Sequence, residues 1–315
     1  MKKESLFERR VIIVAGKGGT GKSTISAALG ISAAKAKKKA LLAETSDNNA
    51  LGPLFRLEPL TQTPRELDPG LWGARINPRS VLEEYIQRYV TNTYISRRIT
   101  RSNLFEHIAA ATPGLKEIMT LSQIWRWEKK KNSDGSPFFD IIIVDSPATG
   151  HGLSLLRVPD TLLSMLRKGP IADQTEWVSE MLHDPEKTCI ASVTIPEELP
   201  VNETLEFQRH IENDLGMKVS ATIANMVYPE IFTPDEQSRI EKLYQKTGEK
   251  AETSVRQVLI AAHREITRRH LQMPYIRRLE KESECPVFRV PFFFTDKVDY
   301  DQIAEIANLF TKKPK

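Results

Sequence analysis

Short apolar runs alternate along this chain with longer segments in which apolar residues recur at helical spacing. The run IIIV at 141–144 is continuously apolar and β-branched, which is typical of a strand buried on both faces. Strands that alternate with amphipathic helices favour a parallel sheet with helices on its faces. We therefore predict an α/β fold, doubly wound around a mostly parallel sheet. The expected strands are 11–15, 40–44, 73–76, 139–144, 189–194, 219–224 and 287–290.

Helices are expected at about 21–37, 201–215, 234–244 and 300–310, with a long polar helix within 252–281. The stretches 79–131 and 152–186 are different, because they are rich in helix-forming residues and contain no strand pattern. We interpret them as helical additions at the carboxyl edge of the sheet, where an open α/β fold forms its ligand crevice. The chain 1–315 is thus predicted to be one domain with a helical subdomain.

Composition adds little specificity to this picture. The chain has 315 residues, of which 40% are hydrophobic and 27% charged, with a net charge of +4, which is ordinary for a globular protein. This mild and diffuse positive charge gives no reason to expect nucleic acid as a partner. The lysine-rich runs 35–39 and 129–131 are interpreted as solvated helix ends, with a phospholipid surface or an acidic partner as the alternative.

The cysteine pattern limits the possible chemistry. The two cysteines, Cys189 and Cys285, are far apart and no CxxC occurs, so a disulfide framework and a four-thiolate zinc site within one chain are not expected. Isolated thiols suit a reducing compartment. No apolar run approaches the ~18 residues of a membrane span, and VIIVA is too short for a signal sequence. These features predict a soluble, cytoplasmic protein.

The strongest motif is VIIVAGKGGTGKST at 11–24. It fits G-x-x-x-x-G-K-[ST], in which backbone N–H groups surround phosphate oxygens, the lysine reaches the β and γ oxygens, and the hydroxyl serves Mg²⁺. A strand before the loop and a helix after it complete the expected context. The motif predicts ATP and Mg²⁺ as ligands. The predicted binding residues here are Gly16, Gly18, Gly19, Thr20, Gly21, Lys22, Ser23 and Thr24, with Ser23 also a metal ligand.

A second lysine, Lys17, lies inside the same loop. A loop wrapped around its own phosphates leaves a side chain at this position pointing away from them. Lys17 is therefore either a solvated loop lysine or a group that reaches the nucleotide of a second subunit. In the second case it would neutralise charge that develops during phosphoryl transfer, as an arginine finger does in trans.

Two aspartates follow strand ends and are candidates for the chemistry. Asp145 ends the apolar run IIIVD, where a carboxylate that supports Mg²⁺ is placed in nucleotide-hydrolysing proteins. Asp47 follows the end of the second strand by three residues and could orient the attacking water. The alternative for Asp47 is an ordinary turn aspartate.

The sequence KGGTGKST resembles the deviant Walker A family, whose signature lysine corresponds to Lys17. Within that family, DSPATGHGLSLL resembles the switch II pattern Asp-Thr-Ala-Pro-Thr-Gly-His-Thr-Leu of the ArsA-type ATPases, which drive arsenite pumps or target tail-anchored proteins. Ser146 replaces the threonine, and Ala-Pro is inverted to Pro147-Ala148. The stretches ATPGLKEIMTL, TIPEELPVNET and IANMVYPE fit the same family. The matching switch II residues are Asp145, Thr149, Gly150, His151 and Leu153.

This resemblance implies nucleotide held between two subunits, hence a homodimer, since only one such loop is present. It also implies that Asn225 and Pro291 contact the adenine, and that Asp47 acts in switch I. That segment departs from the family pattern Asp-Pro-Ala-His, because Asn48-Asn49-Ala50 follow Asp47. The eukaryotic targeting enzymes share zinc through a CxxC that this chain lacks, so no zinc is expected. Cys189 and Cys285 are not clustered, which disfavours metalloid binding.

The implied function is an ATP-hydrolysing homodimer that couples opening and closing to a protein client, such as a membrane protein for targeting, or to a transport partner. Apolar residues at 155–166 form either a client groove or the subdomain's own core, and the core is favoured. A positioning ATPase of the Min/Par class, acting on membrane or DNA, is the alternative. A small-molecule kinase ranks below both.

Overall fold

The computed structural model describes residues 6–46, 49–89, 114–166, 168–247 and 253–311. Eight strands form one sheet. They are β1 Val11–Gly16, β2 Ala40–Glu44, β3 Arg65–Asp68, β4 Leu71–Arg75, β5 Ile141–Asp145, β6 Thr188–Thr194, β7 Val219–Val227 and β8 Val287–Pro291. A short 3-10 helix, Leu6–Glu8, precedes β1.

Helices connect the strands. They are α1 Lys22–Lys35, α2 Leu51–Leu54, α3 Pro78–Tyr89, α4 Leu115–Lys129, α5 Thr149–Met165, α6 Pro170–His183, α7 Glu198–Asn213, α8 Pro234–Thr247, α9 Thr253–Glu282 and α10 Tyr300–Thr311. The long polar helix expected within 252–281 is α9, a helix of 30 residues.

The strand order across the sheet is β3-β4-β2-β5-β1-β6-β7-β8. Every neighbouring pair is parallel except β3 and β4. The prediction of a mostly parallel α/β sheet is therefore confirmed, and all seven predicted strands are present. Strand β3 is not among the predicted strands, because its residues RELD contain no apolar run. A short, charged strand that pairs on one side only is typical of a sheet edge.

The sheet is buried on both faces by different helices. On one face, side chains of α1, α2 and α10 pack against β1, β2 and β5. On the other face, side chains of α4, α5, α6 and α7 do so. The central strands are buried at every position, as in IIIVD of β5, which explains why their sequences are continuously apolar rather than alternating.

The described parts of the two predicted helical additions contain α3, α4, α5 and α6. Gly114 starts α4 with a φ of 80°, a left-handed conformation that glycine adopts without a steric penalty. Gly169 precedes α6 and Pro170 is its first residue, a position that suits proline because its missing N–H would have no helical partner there. Residues 90–113 of the first addition lie outside the described ranges.

The apolar residues at 155–166 do not share one environment. Leu155 and Leu156 are buried in the core below the sheet, as the favoured interpretation expected. Met165 is 71% exposed, and Trp177 of α6 is 39% exposed and stacks on Trp125 at a centroid distance of 5.1 Å. Within the described ranges, none of the helices is both long enough and apolar enough to cross a membrane.

Candidate phosphate-binding site

The glycine-rich loop connects β1, at the centre of the sheet, to α1. Gly16 ends β1 so close to β6 that a Cβ atom built on it would lie 2.2 Å from the carbonyl oxygen of Val193. Gly19 and Gly21 have φ angles of 83° and 86°, which residues with a Cβ adopt only with strain. These close approaches and backbone angles explain why glycine stands at these positions of the sequence.

Asn225, near the end of β7, contacts this loop directly. Its Nδ2 donates a hydrogen bond of 2.9 Å to the carbonyl oxygen of Thr20, and a Cβ on Gly21 would lie 2.3 Å from the same nitrogen. The Thr20 hydroxyl in turn donates to the carbonyl oxygen of Lys17 at 2.9 Å. The loop between β1 and α1 is thus fixed by hydrogen bonds from side chains of this chain.

The predicted adenine contacts lie on neighbouring strands at the same edge of the sheet. Asn225 contacts the phosphate loop itself, and Pro291 ends β8 in register with Val227. Beyond them, the ring of Tyr228 lies 5.0 Å from that of Phe292 between centroids. A role for Asn225 or Pro291 in contacting adenine stays a prediction.

Lys22 is the first residue of α1, and its Nζ donates a hydrogen bond of 3.0 Å to the carbonyl oxygen of Lys17. Its side chain therefore folds back over the loop instead of extending into solvent. Burial lowers the pKa of Lys22, and the nearby Asp145 carboxylate opposes that effect. A cation held over a ring of backbone N–H groups is suited to polyphosphate oxygens. Thr24 is half-buried in the first turn of the same helix.

Asp145 ends β5 directly below the start of α1. Its carboxylate accepts hydrogen bonds from the hydroxyls of Ser23 at 2.7 Å and Ser26 at 3.1 Å. Burial raises the pKa of Asp145 to about 6, and these hydrogen bonds oppose the increase. A hydroxyl and a buried carboxylate in contact are the oxygen ligands that Mg²⁺ prefers, so the residues present fit the predicted ion.

Two side-chain hydroxyls connect the first residues after β2 and β5 to neighbouring strands. The Ser146 hydroxyl donates to the carbonyl oxygen of Val14 at 2.7 Å, and the Thr45 hydroxyl donates to the carbonyl oxygen of Asp145 at 2.7 Å. Asp47 itself lies outside the described residues. Thr149, Gly150 and His151 begin α5, and their side chains are outside the described part of the chain.

Lys17 forms an ion pair with a residue of its own chain. Its Nζ lies 2.6 Å from Oε1 of Glu203, and the two side chains are 41% and 36% exposed. Glu203 belongs to α7, in the stretch TIPEELPVNET. Glu203 could not be predicted as a site residue, because a glutamate on a polar helix carries no signal of its own in the sequence.

Glu44 is a second site residue that the sequence analysis missed. It ends β2 in register with Asp145 on β5, is fully buried, and has a pKa raised by burial. A signal was present, since the run ALLAE ends in an acid as IIIVD does. Two buried carboxylates therefore lie side by side at the carboxyl edge of the sheet.

A central strand, a phosphate loop, a helix that begins with a lysine and serines, and a buried carboxylate on the next strand define a nucleotide-hydrolysing protein of the P-loop class. Comparison with known families gives a narrower result. The family model described as anion-transporting ATPase matches residues 9–173 and 169–311. The chain belongs to this family, and it is an ATPase.

Curated relatives agree with this membership. The chain is 29% identical over 258 residues to the ATPase BagA of Mycobacterium tuberculosis, covering 80% of this chain and 74% of that protein. It is 24% identical over 347 residues to a protein of Aquifex aeolicus provisionally named arsenical pump-driving ATPase 1, covering 95% and 78%. A Halobacterium salinarum protein with a similar provisional name is 28% identical over 242 residues, which cover 71% of this chain and 36% of that one.

Proposed function

We propose that this protein works as a homodimer, in which ATP binding closes two copies on each other and hydrolysis lets them open. The movement would act on a protein client. Family membership supplies the reaction, which converts ATP and water to ADP and phosphate. The observation that supports the proposal is the position of Lys17, an exposed cation in the phosphate loop. Its ion pair with Glu203 is also exposed, so another anion could replace Glu203.

The roles within one copy follow from the contacts of its side chains. The loop N–H groups and Lys22 would bind phosphate oxygens, since Lys22 already lies folded over the loop. Ser23 and Asp145 would hold Mg²⁺, which when bound neutralises charge on the phosphates. Asp47 would orient the attacking water, on the segment whose start Thr45 ties to β5.

Lys17 is proposed to act on the nucleotide of the second copy. Its ammonium contacts Glu203 on α7, and the neighbouring Gly18 and Gly19 are exposed. An ion pair between such exposed side chains is typically worth only about 0–1 kcal/mol. A triphosphate carries more negative charge than one carboxylate, so a second copy that brings its nucleotide to this loop would compete well for Lys17.

The test compares two lysines that form similar ion pairs. Lys187 lies 2.6 Å from Asp184 and is exposed to a similar degree as Lys17, but it precedes β6 at the opposite edge of the sheet. Phosphate release would be measured across protein concentrations, and mass by light scattering with and without ATP. Lys17→Ala should abolish ATP-dependent pairing and reduce the rate at least about a hundredfold, as loss of a charge-neutralising finger does. Lys187→Ala should behave as the parent.

The proposal of a dimer would be wrong if Lys17→Ala paired and hydrolysed ATP as the parent does. For the client, Asp47→Asn is expected to hold unhydrolysed ATP, since it removes the group proposed to orient water. Proteins recovered with this variant in ATP but not in ADP would be the candidates. Recovery that does not depend on the nucleotide would contradict a coupled client.

One observation favours the second candidate, a positioning ATPase that acts on a membrane. The two lysine-rich runs converge in the structure, where the Nζ atoms of Lys39 and Lys130 lie 3.6 and 4.0 Å from the centroid of the Phe138 ring. Clustered lysines attract anionic lipid headgroups. Co-sedimentation with phosphatidylcholine vesicles, with and without phosphatidylserine, would favour this candidate if binding required both ATP and the anionic lipid.

A further inference from the structure

One buried charged group has no part in the roles assigned above. Glu44 has no exposed surface, although glutamate is rarely fully buried unless its charge is paired. Its two carboxylate oxygens are in different situations. Oε1 accepts hydrogen bonds from the backbone N–H groups of Ala50 at 2.6 Å and Leu51 at 3.2 Å. Oε2 is buried and has no hydrogen-bond partner among the described residues.

The Oε1 bonds connect the end of β2 to the start of α2. Glu44 is the last residue of that strand, and Ala50 and Leu51 lie at the start of α2. Next to Glu44, the Thr45 hydroxyl donates to the Asp145 carbonyl oxygen. Glu44 therefore joins the end of β2 to the start of α2, while Thr45 joins it to β5.

The Oε2 atom lies in a row of charged residues. Glu44 is in register with Arg75 on β4 and with Asp145 on β5, and residues in register on parallel strands direct their side chains to the same face of the sheet. Asp145 carries the hydroxyl contacts of α1 on that face. The Arg75 charge opposes the increase that burial causes in the pKa of Glu44, but Oε2 still accepts no hydrogen bond from the described residues. A buried oxygen without a hydrogen bond is costly, and the water shell of a cation beside the two carboxylates would supply the missing donor.

We infer that Glu44 is a positioning residue for ATP hydrolysis, with one task for each oxygen. Oε1 holds the start of α2 through the Ala50 and Leu51 amides. Oε2 would gain a partner in the hydration shell of the Mg²⁺ ion that Ser23 and Asp145 would hold. This inference rests on the proposed function, because it requires that Mg²⁺ binds there.

Two substitutions separate the two tasks. Glu44→Gln keeps an oxygen that can accept both N–H bonds but removes the charge, whereas Glu44→Ala removes both. Hydrogen exchange of the Ala50 and Leu51 amides in the nucleotide-free protein reports on the first task. The Mg²⁺ concentration needed for tight binding of fluorescent ADP reports on the second. Glu236→Gln is the matched control, since Glu236 also accepts a backbone N–H, at Thr233, on the surface.

Glu44→Ala should speed exchange of both amides at least about tenfold, while Glu44→Gln should keep their protection. Both variants should need about tenfold more Mg²⁺ for ADP binding, the effect typical of outer-shell ligands, and should lower kcat more than they raise KM. Glu236→Gln should match the parent in all three measurements.

Unchanged exchange in Glu44→Ala would overturn the anchoring task, and an unchanged Mg²⁺ requirement in Glu44→Gln would overturn the metal task. If Glu44→Ala does not fold, the outcome in Glu44→Gln still decides the second. A parent protein that neither binds ADP with Mg²⁺ nor hydrolyses ATP would instead contradict the proposed function.

Discussion

The Lys17 ammonium lies 2.6 Å from the Glu203 carboxylate of the same chain, which joins the phosphate loop to α7. The sequence predicts Lys17 either in solvent or on a partner's nucleotide, and the structure shows a third arrangement, an ion pair within the chain. Because both side chains are more than one-third exposed, the pair is exchangeable. If Lys17 serves a partner's nucleotide, Glu203 competes with that nucleotide for it.

This competition predicts the effect of Glu203→Gln. Removing the carboxylate charge frees Lys17, so ATP-dependent pairing should strengthen by up to about fivefold, the equivalent of ~1 kcal/mol for an exposed pair. Sedimentation of the parent and the variant at several protein concentrations with ATP would measure it. The effect should disappear in the Lys17→Ala background, and weaker pairing of Glu203→Gln would contradict competition.

Lys22→Ala should separate nucleotide binding from folding. Burial lowers the pKa of this lysine, so its cation is not in a favourable environment without phosphates, and its removal should leave thermal stability almost unchanged. ATP hydrolysis should fall at least about a hundredfold, because a preorganised cation at the phosphates is lost. Calorimetry and phosphate release would measure the two effects, with substitution of the exposed Lys242 by alanine as a surface control. A large loss of stability in Lys22→Ala would show that this lysine is structural.

The raised pKa of Asp145 predicts how stability changes with pH. In the folded protein the pKa rises from 3.8 to about 6 because of burial, so between these values the folded state binds more protons than the unfolded state. Stability without Mg²⁺ should therefore fall as the pH rises through this interval, by about 3 kcal/mol in total. Denaturant unfolding at pH values from about 4 to 7 would measure the slope.

Asp145→Asn should flatten that slope, since the amide does not titrate. Glu44, whose pKa is also raised by burial, leaves a remaining slope in the same direction. Mg²⁺ with ADP should stabilise the parent more at pH 7 than at pH 5, because the ion requires the ionised carboxylate. A stabilisation that is independent of pH would contradict a role for Asp145 at the metal.

Gly21 and Gly135 have nearly equal φ angles but different surroundings. Substituting each by alanine therefore separates the cost of backbone strain from the cost of a steric clash. Gly21 has a φ of 86° and Gly135 a φ of 84°, but a Cβ on Gly135 meets no atom within 4 Å, whereas one on Gly21 lies 2.3 Å from Asn225 Nδ2. Gly135→Ala should cost about 1 kcal/mol from the backbone angle alone. Gly21→Ala should cost more and weaken nucleotide binding. Unfolding of both variants, and of Gly21→Ala with Asn225→Ala, would test whether removing Asn225 recovers part of the loss.

The parts of this fold that the sequence predicted are those governed by local pattern. The apolar runs of β1 and β5 and the glycine loop between β1 and α1 depend on residues that are adjacent in sequence. The edge strand β3 depends on pairing with β4, and its charged residues gave no pattern to recognise. The same limit applies to the site, because Glu203 reaches Lys17 across 186 residues of sequence.

Glu44 was not predicted as a site residue for a different reason. Its position at the end of an apolar run resembles that of Asp145, but its contacts with Ala50 and Leu51 depend on how the chain turns after β2. The lysine-rich runs were interpreted as solvated helix ends, and their convergence around Phe138 could not be deduced because 91 positions separate Lys39 from Lys130. Tertiary contacts, rather than local sequence, decide these cases.

The phosphate loop packs against the Val193 carbonyl group and accepts a hydrogen bond from Asn225. Its shape is therefore fixed without nucleotide, and little loss of conformational entropy opposes binding. If the loop binds phosphates as proposed, the same fixed shape would hold the α and β phosphates of ADP and of ATP. Binding by the loop alone would then not distinguish ATP from ADP. Detecting the γ-phosphate would be the task of residues outside the loop, and the segments that follow β2 and β5 are proposed for it.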